Sequence, residues 1–455
     1  MLYENLGVNS ENHLTIKGRD TVELAGKYGT PLYVLDTDSV YESCLRYKAL
    51  MAKYFGPDSF PLYASKAFSC KEIYRIVQRA GIGADVASGG EIYTAVAAGF
   101  PMEKAYFHGN NKTEADIRQA LDCGVGCFAV DNAEELETLT KELGNRCQES
   151  GEKETSPSLF PDSCVLTPVP CTPQRIMLRL SPGIDPHTHK AVVTGSVDSK
   201  FGTAIATGQA MELVKRALSC KNLILEGLHC HIGSQILEYS PYPDAARIMI
   251  GFIAEIKKET GHTVGVLNLG GGFGVRYTED DPEFDYEKAI ADIAAAVEGA
   301  CKEHGVEKPA IVLEPGRSII APAGVTLYTI GSFKTITGYK SYVSVDGGMP
   351  DNPRYALYQS KYSFSVANRA DDPREVRATV AGRCCESGDL LQENAPLQRC
   401  GKGDILAVLG TGAYNYSMAS NYNRIPRPPV LAIEKEGERL IIKRETYEDL
   451  IRNDV

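Results

Sequence analysis

The stretch FPLYASKAFSCKEIYRIVQRAGIGADVAS, residues 60–88, contains the repeating unit that decides the fold of this chain. It begins with a short apolar run, FPLYASK, and ends with a second one, IGADVAS. Between the two runs, Ile73, Ile76, Val77 and Ala80 recur at the spacing of one helix face. The stretch therefore predicts a strand, an amphipathic helix and a further strand.

Six further apolar runs continue this alternation along the chain. Helical patterns such as NAEELETLTKEL (132–143) and YEKAIADIAAAVEGACKE (286–303) lie between them. Eight strands alternating with helices predict an α/β fold, a (β/α)8 barrel of the TIM type. An open doubly wound sheet is the alternative, but no early GxGxxG supports it. The further runs are KAYFHGN (104–110), GCFAVDN (126–132), RIMLRLS (175–181), LEGLHCH (225–231), GVLNLGG (265–271) and AIVLEPG (310–316).

Polar residues gather at the C-terminal end of the predicted strands. In a barrel of this type these ends form one face, and that face carries the active site. The sequence therefore predicts that residues distant along the chain meet in space. They are Lys66, Asp85, His108, Asp131, His231, Gly270 to Gly272 and Glu314.

The helical period disappears after the eighth predicted strand, and runs such as GVTLYTIGSF (324–333) have the character of strands. We expect a barrel domain over 39–320 and a mainly β second domain formed from both chain ends, 1–38 and 321–455. No eighth barrel helix is evident after the eighth strand. The helix predicted at 39–55 is a candidate for its place.

Composition limits the kind of partner. The 455 residues include 59 acidic and 48 basic side chains, which give a net charge of −11 and argue against nucleic-acid binding. The N-terminal MLYENLGVNS lacks the regions of a signal peptide, and no apolar run predicts a membrane-spanning helix. Thirteen cysteines without a CxxC pair are typical of a reduced, cytoplasmic protein.

The segment CQESGEKETSPSLFPDSCVLTPVPCTPQ, residues 147–174, is rich in Pro and Ser and has no period. Such a composition predicts a mobile loop. It connects the fourth helix to the fifth strand, so we expect it on the barrel face opposite the active site, without a catalytic role.

Lys66 stands at the end of an apolar strand, where a lysine is unusual. It could be structural, paired with a carboxylate of the barrel. It could instead form a Schiff base with a carbonyl cofactor, because a partly desolvated lysine is available as a neutral amine. The residues alone leave both interpretations open.

Two motifs follow the last two predicted strands, where barrels commonly bind phosphate. LNLGGGFG (267–274) has three consecutive glycines, which let backbone N–H groups approach a phosphate closely, although most such loops are simple turns. EPGR (314–317) offers a carboxylate and a guanidinium. Glu314 and Arg317 could form an ion pair, or Glu314 could face a pyridinium nitrogen while Arg317 binds an anion.

GLHCHIGSQ (227–235) places His229 and His231 two residues apart, on the same side of a strand. A metal pair is one interpretation, but no matching set of carboxylates or cysteines has metal-binding spacing. We therefore expect no metal. Stacking of His231 on a flat cofactor, with Ser234 bonding the phosphate, fits the motif better.

Three motifs of the second domain carry polar and aromatic side chains together. DGGMPDNPRYALY (346–358) places Arg354 and Tyr358 at helical spacing, and GRCCESGD (382–389) places Cys385, Glu386 and Asp389 in one turn. The third motif, GTGAYNYSMASNYN, includes Tyr414. Each could be an ordinary loop, and the residues alone give no mechanism.

Ten motifs, in this order, resemble those of the diaminopimelate decarboxylase family. That family belongs to the fold-type III pyridoxal-phosphate enzymes, with ornithine and arginine decarboxylases and alanine racemase. The resemblance extends over about residues 31–430, with YASKAF in place of the more usual YALKAN, an extra Cys in GRCCESGD and the 147–174 segment as an insertion. The motifs are YASKAF, DVASGGE, HGNNK, VDNAEEL, GLHCHIGSQ, LNLGGGFG, EPGR, DGGMPDNPRYALY, CCESGD and GAYNYSMASNYN.

The resemblance implies decarboxylation of meso-2,6-diaminopimelate to L-lysine and CO2, the last step of lysine biosynthesis, with pyridoxal 5'-phosphate as cofactor. It also implies a homodimer in which the partner's GRCCESGD loop completes each site. The catalytic residues that it implies are Lys66, His231 and Cys385, the last as a candidate proton donor. The implied cofactor-binding residues are Lys66, His231, Ser234, Gly271, Gly272, Glu314, Gly316, Arg317 and Tyr414. The implied substrate-binding residues are Arg317, Arg354, Tyr358, Glu386 and Tyr414.

Three alternatives stay open. The chain could decarboxylate another diamino acid or carboxynorspermidine on the same fold. It could be a non-catalytic pyridoxal-phosphate carrier, although such carriers are barrels without a long β domain. It could also be a barrel aldolase that uses Lys66 without a cofactor.

Overall fold

The computed structural model describes residues 1–149, 172–184 and 198–455. Most of the predicted 147–174 loop lies outside these residues. The chain divides into two compact units. We call Met1–Ser43, Val275–Phe284 and Arg317–Val455 the β unit, and Cys44–Gly274 with Asp285–Gly316 the barrel unit.

The N-terminal part of the β unit is a small antiparallel sheet followed by a helix. Asp20 caps that helix, because its carboxylate accepts the backbone N–H groups of Val22 and Glu23 at 2.8 and 3.2 Å. The elements are β1 (Leu6–Val8), β2 (Leu14–Ile16), β3 (Arg19–Asp20), α1 (Thr21–Tyr28) and β4 (Leu32–Asp36).

The barrel unit confirms the predicted (β/α)8 architecture. Eight parallel strands pair in chain order, and the last pairs with the first, which closes the barrel. One buried cluster, made of Leu62, Tyr106, Cys127, Met177, Val266 and Val312, takes one side chain from each of six strands. The barrel strands are β5 (Phe60–Ala64), β6 (Gly83–Val86), β7 (Ala105–Phe107), β8 (Cys127–Val130), β9 (Gln174–Ser181), β11 (Leu223–His229), β12 (Val266–Asn268) and β13 (Ala310–Leu313), and the short β10 (Thr203–Ala204) pairs only with β9.

Helices connect the barrel strands, as the amphipathic patterns predict. Ile73, Ile76, Val77 and Ala80 are all buried on one face of the helix after β5. Helix α2 (Thr37–Phe55) precedes β5, and the helices after it are α3 (Lys71–Ala80), α4 (Gly89–Ala98), α5 (Glu114–Asp122), α6 (Ala133–Glu149), α7 (Gln209–Ser219), α8 (Pro241–Thr260) and α9 (Tyr286–His304). Among the described residues, none of the helices is both long and apolar enough to cross a membrane.

The rest of the β unit is mainly strand, and it joins both ends of the chain. The N-terminal β4 lies between β14 and β20, so residues from both termini share one sheet, as predicted. The elements are α10 (Arg317–Ile320), β14 (Gly324–Thr335), β15 (Ser341–Val345), α11 (Arg354–Tyr358), β16 (Phe364–Val366), β17 (Val376–Ala381), β18 (Leu390–Leu397), β19 (Ile405–Leu409), β20 (Val430–Glu434), β21 (Gly437–Ile442) and α12 (Tyr447–Ile451).

Candidate active site

Lys66 stands at the C-terminal end of β5, in a single 3-10 turn that begins after Ala64. Its Nζ lies 3.1 Å from Oδ2 of Asp85, a buried residue of β6. The Lys66 side chain is 45% exposed, so the amine is only partly removed from solvent. The amine therefore lies beside a buried carboxylate and stays accessible to a ligand from solvent.

Glu314 follows β13 and is buried against side chains from three other strand ends. Asn268 Nδ2 donates to its Oε1 at 2.6 Å, and His108 Nε2 lies 2.9 Å from the same oxygen. His229 Nε2 lies 3.3 Å from Oε2. Both carboxylate oxygens are therefore held by groups of the barrel.

The charge state of this cluster follows from its surroundings. Burial opposes ionisation of Glu314, but His108 and His229 outweigh it and hold the pKa of the carboxyl well below its usual range. Burial lowers the pKa of His229 to about 4, although Glu314 acts in the opposite direction. At neutral pH the arrangement is a carboxylate beside a neutral His229 imidazole.

The loops after β11 and β12 run side by side. The N–H of Ile236 donates to Gly272 O at 3.0 Å, and the N–H of Gly271 donates to His231 Nδ1 at 3.3 Å. Gly272 has a φ of +101°, and a Cβ there would come within 2.3 Å of Gly233 O, so only glycine fits. Ser234 lies partly buried in the first of these loops, next to the glycine-rich one.

The two histidines of GLHCHIGSQ do not act as a pair, which corrects one sequence-based interpretation. β11 ends at His229, and the chain then leaves the strand, so His229 meets Glu314 while His231 meets Gly271. His108 is the actual neighbour of His229, with ring centroids 4.7 Å apart. The carboxylate that lies beside these two histidines is that of Glu314, which the sequence did not reveal. One imidazole nitrogen each of His108 and His229 and one carboxylate oxygen of Glu314 lie within 4.8 Å of one another.

The pKa of His231 lies well below its usual range, first because the imidazole is removed from water and then because Lys66 and Arg179 are positive. A neutral imidazole is suited to lie against a flat aromatic ligand. Gly316 lies beyond Glu314, where a Cβ would come within 2.9 Å of the Ala64 Cβ. The strand ends therefore bring together Lys66, His231 and Glu314 with the glycine-rich loops of the barrel unit.

In the β unit, two buried arginines lie among tyrosine rings. The Arg317 and Arg354 guanidinium groups lie 4.7 and 5.6 Å from the Tyr414 ring centroid, and Arg354 lies 5.8 Å from that of Tyr358. Arg317 Nη1 also donates to Tyr277 Oη at 2.8 Å. Within the described part of the chain, Arg354 forms no ion pair, and its buried Nε has no hydrogen-bond acceptor. A buried guanidinium that lacks an ion-pair partner is suited to bind an anion.

Tyr414 adopts a φ of +64°, a left-handed backbone conformation that is uncommon for a residue with a bulky side chain. Such strain is concentrated at functional sites. It places the ring against both arginines.

Hydrogen bonds within the GRCCESGD loop and to neighbouring loops fix its backbone. Asp389 is buried, and its two oxygens accept the N–H groups of Met349 at 2.6 Å and Cys384 at 2.7 Å. The Cys385 N–H donates to Asn423 Oδ1 at 2.8 Å. In contrast, the side chains of Cys385 and Glu386 are exposed. The structure does not bury them with the arginines of the same unit.

Sequence reasoning did not assign a role to three residues of this site. His108 and Asp85 appeared among the polar strand ends, and that position was the signal that could have identified them. Asn268 gave a weaker signal, because LNLGGGFG drew attention to its glycines.

The barrel unit offers the groups that pyridoxal phosphate requires. Lys66 supplies an amine for its carbonyl, Glu314 a buried carboxylate for its ring nitrogen, and His231 a neutral ring for its face. Gly271 and Gly272 supply backbone that approaches closely. The donor set fits the cofactor.

Comparison with known proteins also indicates a pyridoxal-phosphate site. Residues 37–321 match the model of the pyridoxal-binding domain of pyridoxal-dependent decarboxylases. The diaminopimelate decarboxylase of Halalkalibacterium halodurans is 45% identical over 98% of this chain and 96% of its own length. That of Bacillus subtilis is 43% identical with the same coverage.

Solved structures agree. The diaminopimelate decarboxylase of M. jannaschii, in complex with L-lysine, has a TM-score of 0.86 and 32% identity, covering 100% of this chain and 99% of that one. The Helicobacter pylori enzyme, also complexed with L-lysine, has a TM-score of 0.81 and 31% identity, covering 95% and 98%. The resemblance and the cofactor predicted from the motifs are confirmed, and the chain belongs to the pyridoxal-dependent decarboxylases and, within them, to the diaminopimelate decarboxylase family.

Proposed function

We propose that this protein removes the carboxylate at the D-centre of meso-diaminopimelate, with pyridoxal phosphate as cofactor, and releases L-lysine and CO2. The observation that carries this proposal is the 45% identity to a diaminopimelate decarboxylase over 98% of the chain. The set of Lys66, His231 and Glu314 on the barrel strand ends supports it chemically.

The barrel residues would hold the cofactor. The Lys66 amine would bind its carbonyl carbon, the His231 ring would lie on its face, and the Glu314 carboxylate would meet its ring nitrogen. When bound, pyridoxal phosphate supplies the electron sink for the pair left by the breaking C–COO⁻ bond. The residues assigned to its phosphate are Ser234, Gly271, Gly272, Gly316, Arg317 and Tyr414.

The β unit would bind the far end of the substrate, which carries both a carboxylate and an ammonium. Arg317, Arg354 and Tyr358, with Tyr414, would bind the carboxylate, and Glu386 the ammonium. Ornithine ends in an ammonium alone, so a buried arginine facing it would be left uncompensated, at a cost of about 3–5 kcal/mol. This charge pattern favours diaminopimelate over ornithine.

We infer that the active form is a homodimer in which the GRCCESGD loop of the partner completes each site. Cys385 and Glu386 are exposed in the single chain, which a residue that binds substrate in a closed site should not be. Cys385 from this loop would hold the proton that the product carbon receives. We place the protein in the cytoplasm, and the ten cysteines whose side chains the structure describes are free thiols, which agrees with a reducing compartment.

The function is tested on the purified full-length chain. We expect a visible absorbance band from lysine-bound cofactor, and L-lysine formed from meso-diaminopimelate but not from the LL isomer, which lacks a D-centre. Turnover of ornithine or carboxynorspermidine instead would identify a neighbouring specificity. Bound cofactor without any turnover would identify a carrier, and aldol cleavage without a band would identify an aldolase.

The shared site is tested by mixing two inactive variants, Lys66→Ala and Glu386→Ala, under conditions that exchange subunits. Each mixed dimer then has one intact site and one site with both defects. Random mixing of equal amounts should restore about a quarter of the wild-type activity. If each chain builds its own site, the mixture stays inactive.

A further inference from the structure

Three side chains from separate barrel strands converge on one buried carboxylate. His229 is the last residue of β11, Asn268 is the last of β12, and His108 follows β7. All three meet Glu314, which follows β13. We propose that His108, His229 and Asn268 are positioning residues that fix the Glu314 carboxylate in the orientation in which it meets the ring nitrogen of the cofactor. The inference rests on the proposed function and extends it.

The contacts determine the orientation of the carboxylate. Asn268 and His108 are both within 2.9 Å of Oε1, while His229 approaches Oε2 at 3.3 Å. Rotation of the carboxylate would break all three contacts. Asn268 is itself oriented, because its Oδ1 accepts the N–H of Gly270 at 2.9 Å. The same amide therefore connects Glu314 to the glycine-rich loop.

His229 is not explained by packing alone. Its Nδ1 is buried without a hydrogen-bond partner among the described residues, and Glu314 is the acceptor at its other nitrogen. A leucine would fill such a site without an unsatisfied polar atom, which costs roughly 1–3 kcal/mol when buried. Contact with Glu314 is the gain that offsets this cost.

The chemical type of the partners also matters. A carboxylate that favours a protonated ring nitrogen must keep its negative charge. A lysine or arginine in direct contact would cancel that charge, whereas an amide and a neutral imidazole such as His229 donate hydrogen bonds and leave it in place. The pKa of His229, lowered to about 4, agrees with a neutral donor at physiological pH.

The test compares two ligands on full-length protein from which the cofactor has been removed. One is pyridoxal phosphate, and the other is its analogue with C–H in place of the ring nitrogen. Equilibrium dialysis gives both dissociation constants, and their ratio measures the contribution of the ring nitrogen. The wild type should prefer pyridoxal phosphate, and Glu314→Gln should lose most of this preference. If either expectation fails, the proposed role of Glu314 fails, independently of its neighbours.

The positioning residues are then tested by substitution. His108→Leu, His229→Leu and Asn268→Ala should each reduce the preference about tenfold, as expected for loss of a polar contact with a charged group. His108→Gln and His229→Gln keep an N–H donor and should retain most of it. His262→Leu is the matched control, because it removes an imidazole contact with Leu225 O, 3.0 Å away elsewhere on the barrel.

The three possible results are distinct. A fall in the preference in the leucine variants but not in the control supports the inference. Equal weakening of both ligands would indicate a packing defect, and unchanged constants would indicate no role, so either result overturns it. If a leucine variant does not fold, the same ratio measured for Asn268→Ser decides the question.

Discussion

Replacement of Arg354 by methionine tests the substrate side of the site most directly. Arg354 is 5% exposed, and its Nε has no acceptor among the described residues, so the incoming carboxylate would supply a missing partner. Removing one partner of a buried ion pair costs about 3–5 kcal/mol. Arg317 lies against the same Tyr414 ring and would share the anion, so the lower end applies. We expect kcat/KM to fall about 100-fold.

The assay follows release of CO2 from meso-diaminopimelate and inhibition by two small ligands. L-Lysine keeps the distal carboxylate, and cadaverine lacks it, so Arg354→Met should weaken inhibition by L-lysine alone. Arg354→Lys keeps the charge without the planar fork and should lose about tenfold. Arg369→Met, in which a partly exposed ion pair with Asp404 is removed, is the control and should lose little.

The reasoning about Arg354 would be refuted by a kcat/KM close to that of the wild type. It would be refuted equally by weaker inhibition by both ligands, since that result would indicate damage to the site as a whole. The cofactor band should be unchanged in all three variants, because Lys66 belongs to the barrel unit.

Three further predictions concern single residues. Lys66→Ala should abolish the cofactor band and the activity, whereas Lys71→Ala, on the same barrel unit, should keep both; a coloured, active Lys66→Ala would contradict the assignment. Glu314→Gln should slow turnover at saturating substrate roughly 10- to 100-fold, because an amide favours a protonated ring nitrogen less than a carboxylate does. The control is Glu307→Gln, at an exposed site, and a Glu314→Gln turnover as high as that of this control would show that Glu314 does not have this role. Asp389→Asn should lower the free energy of unfolding by about 1–3 kcal/mol, since an amide oxygen replaces only one of the two acceptors that bind the partly buried N–H groups of Met349 and Cys384. Urea denaturation measures this change against Asp292→Asn, a partly exposed control.

The barrel could be predicted from the sequence because its signals are local. The period of each segment is set by its own residues, and FPLYASK (60–66) accordingly contains the strand Phe60–Ala64. β18 is not evident from the sequence, because Glu393, Asn394 and Pro396 give LLQENAPL (390–397) the character of a loop. It forms because β17 supplies the hydrogen bonds, and it lies at the edge of the sheet, where proline is tolerated.

The partners of Glu314 could not be predicted in this way. His229 and Asn268 lie 85 and 46 residues from it along the chain, and only the register of the parallel strands brings them together. The sequence indicated that polar residues would share the strand-end face, but it did not indicate which would be in contact. The exposure of Cys385 and Glu386 was likewise not predictable from GRCCESGD, because it depends on how Asp389 turns the loop.

The two units carry different parts of the proposed chemistry, and this division predicts how activity can change. The groups assigned to the cofactor carbonyl, ring face and ring nitrogen all lie on the strand ends of the barrel unit, where hydrogen bonds between strands limit their movement. The groups assigned to the distal end of the substrate, such as Arg354, Tyr358 and Glu386, lie in the β unit on a one-turn helix or a loop. Substitutions in these segments can alter charge at the distal end without disturbing Lys66 or Glu314. Specificity for the diamino acid should therefore change through the β unit, and loss of decarboxylation for every substrate through the barrel.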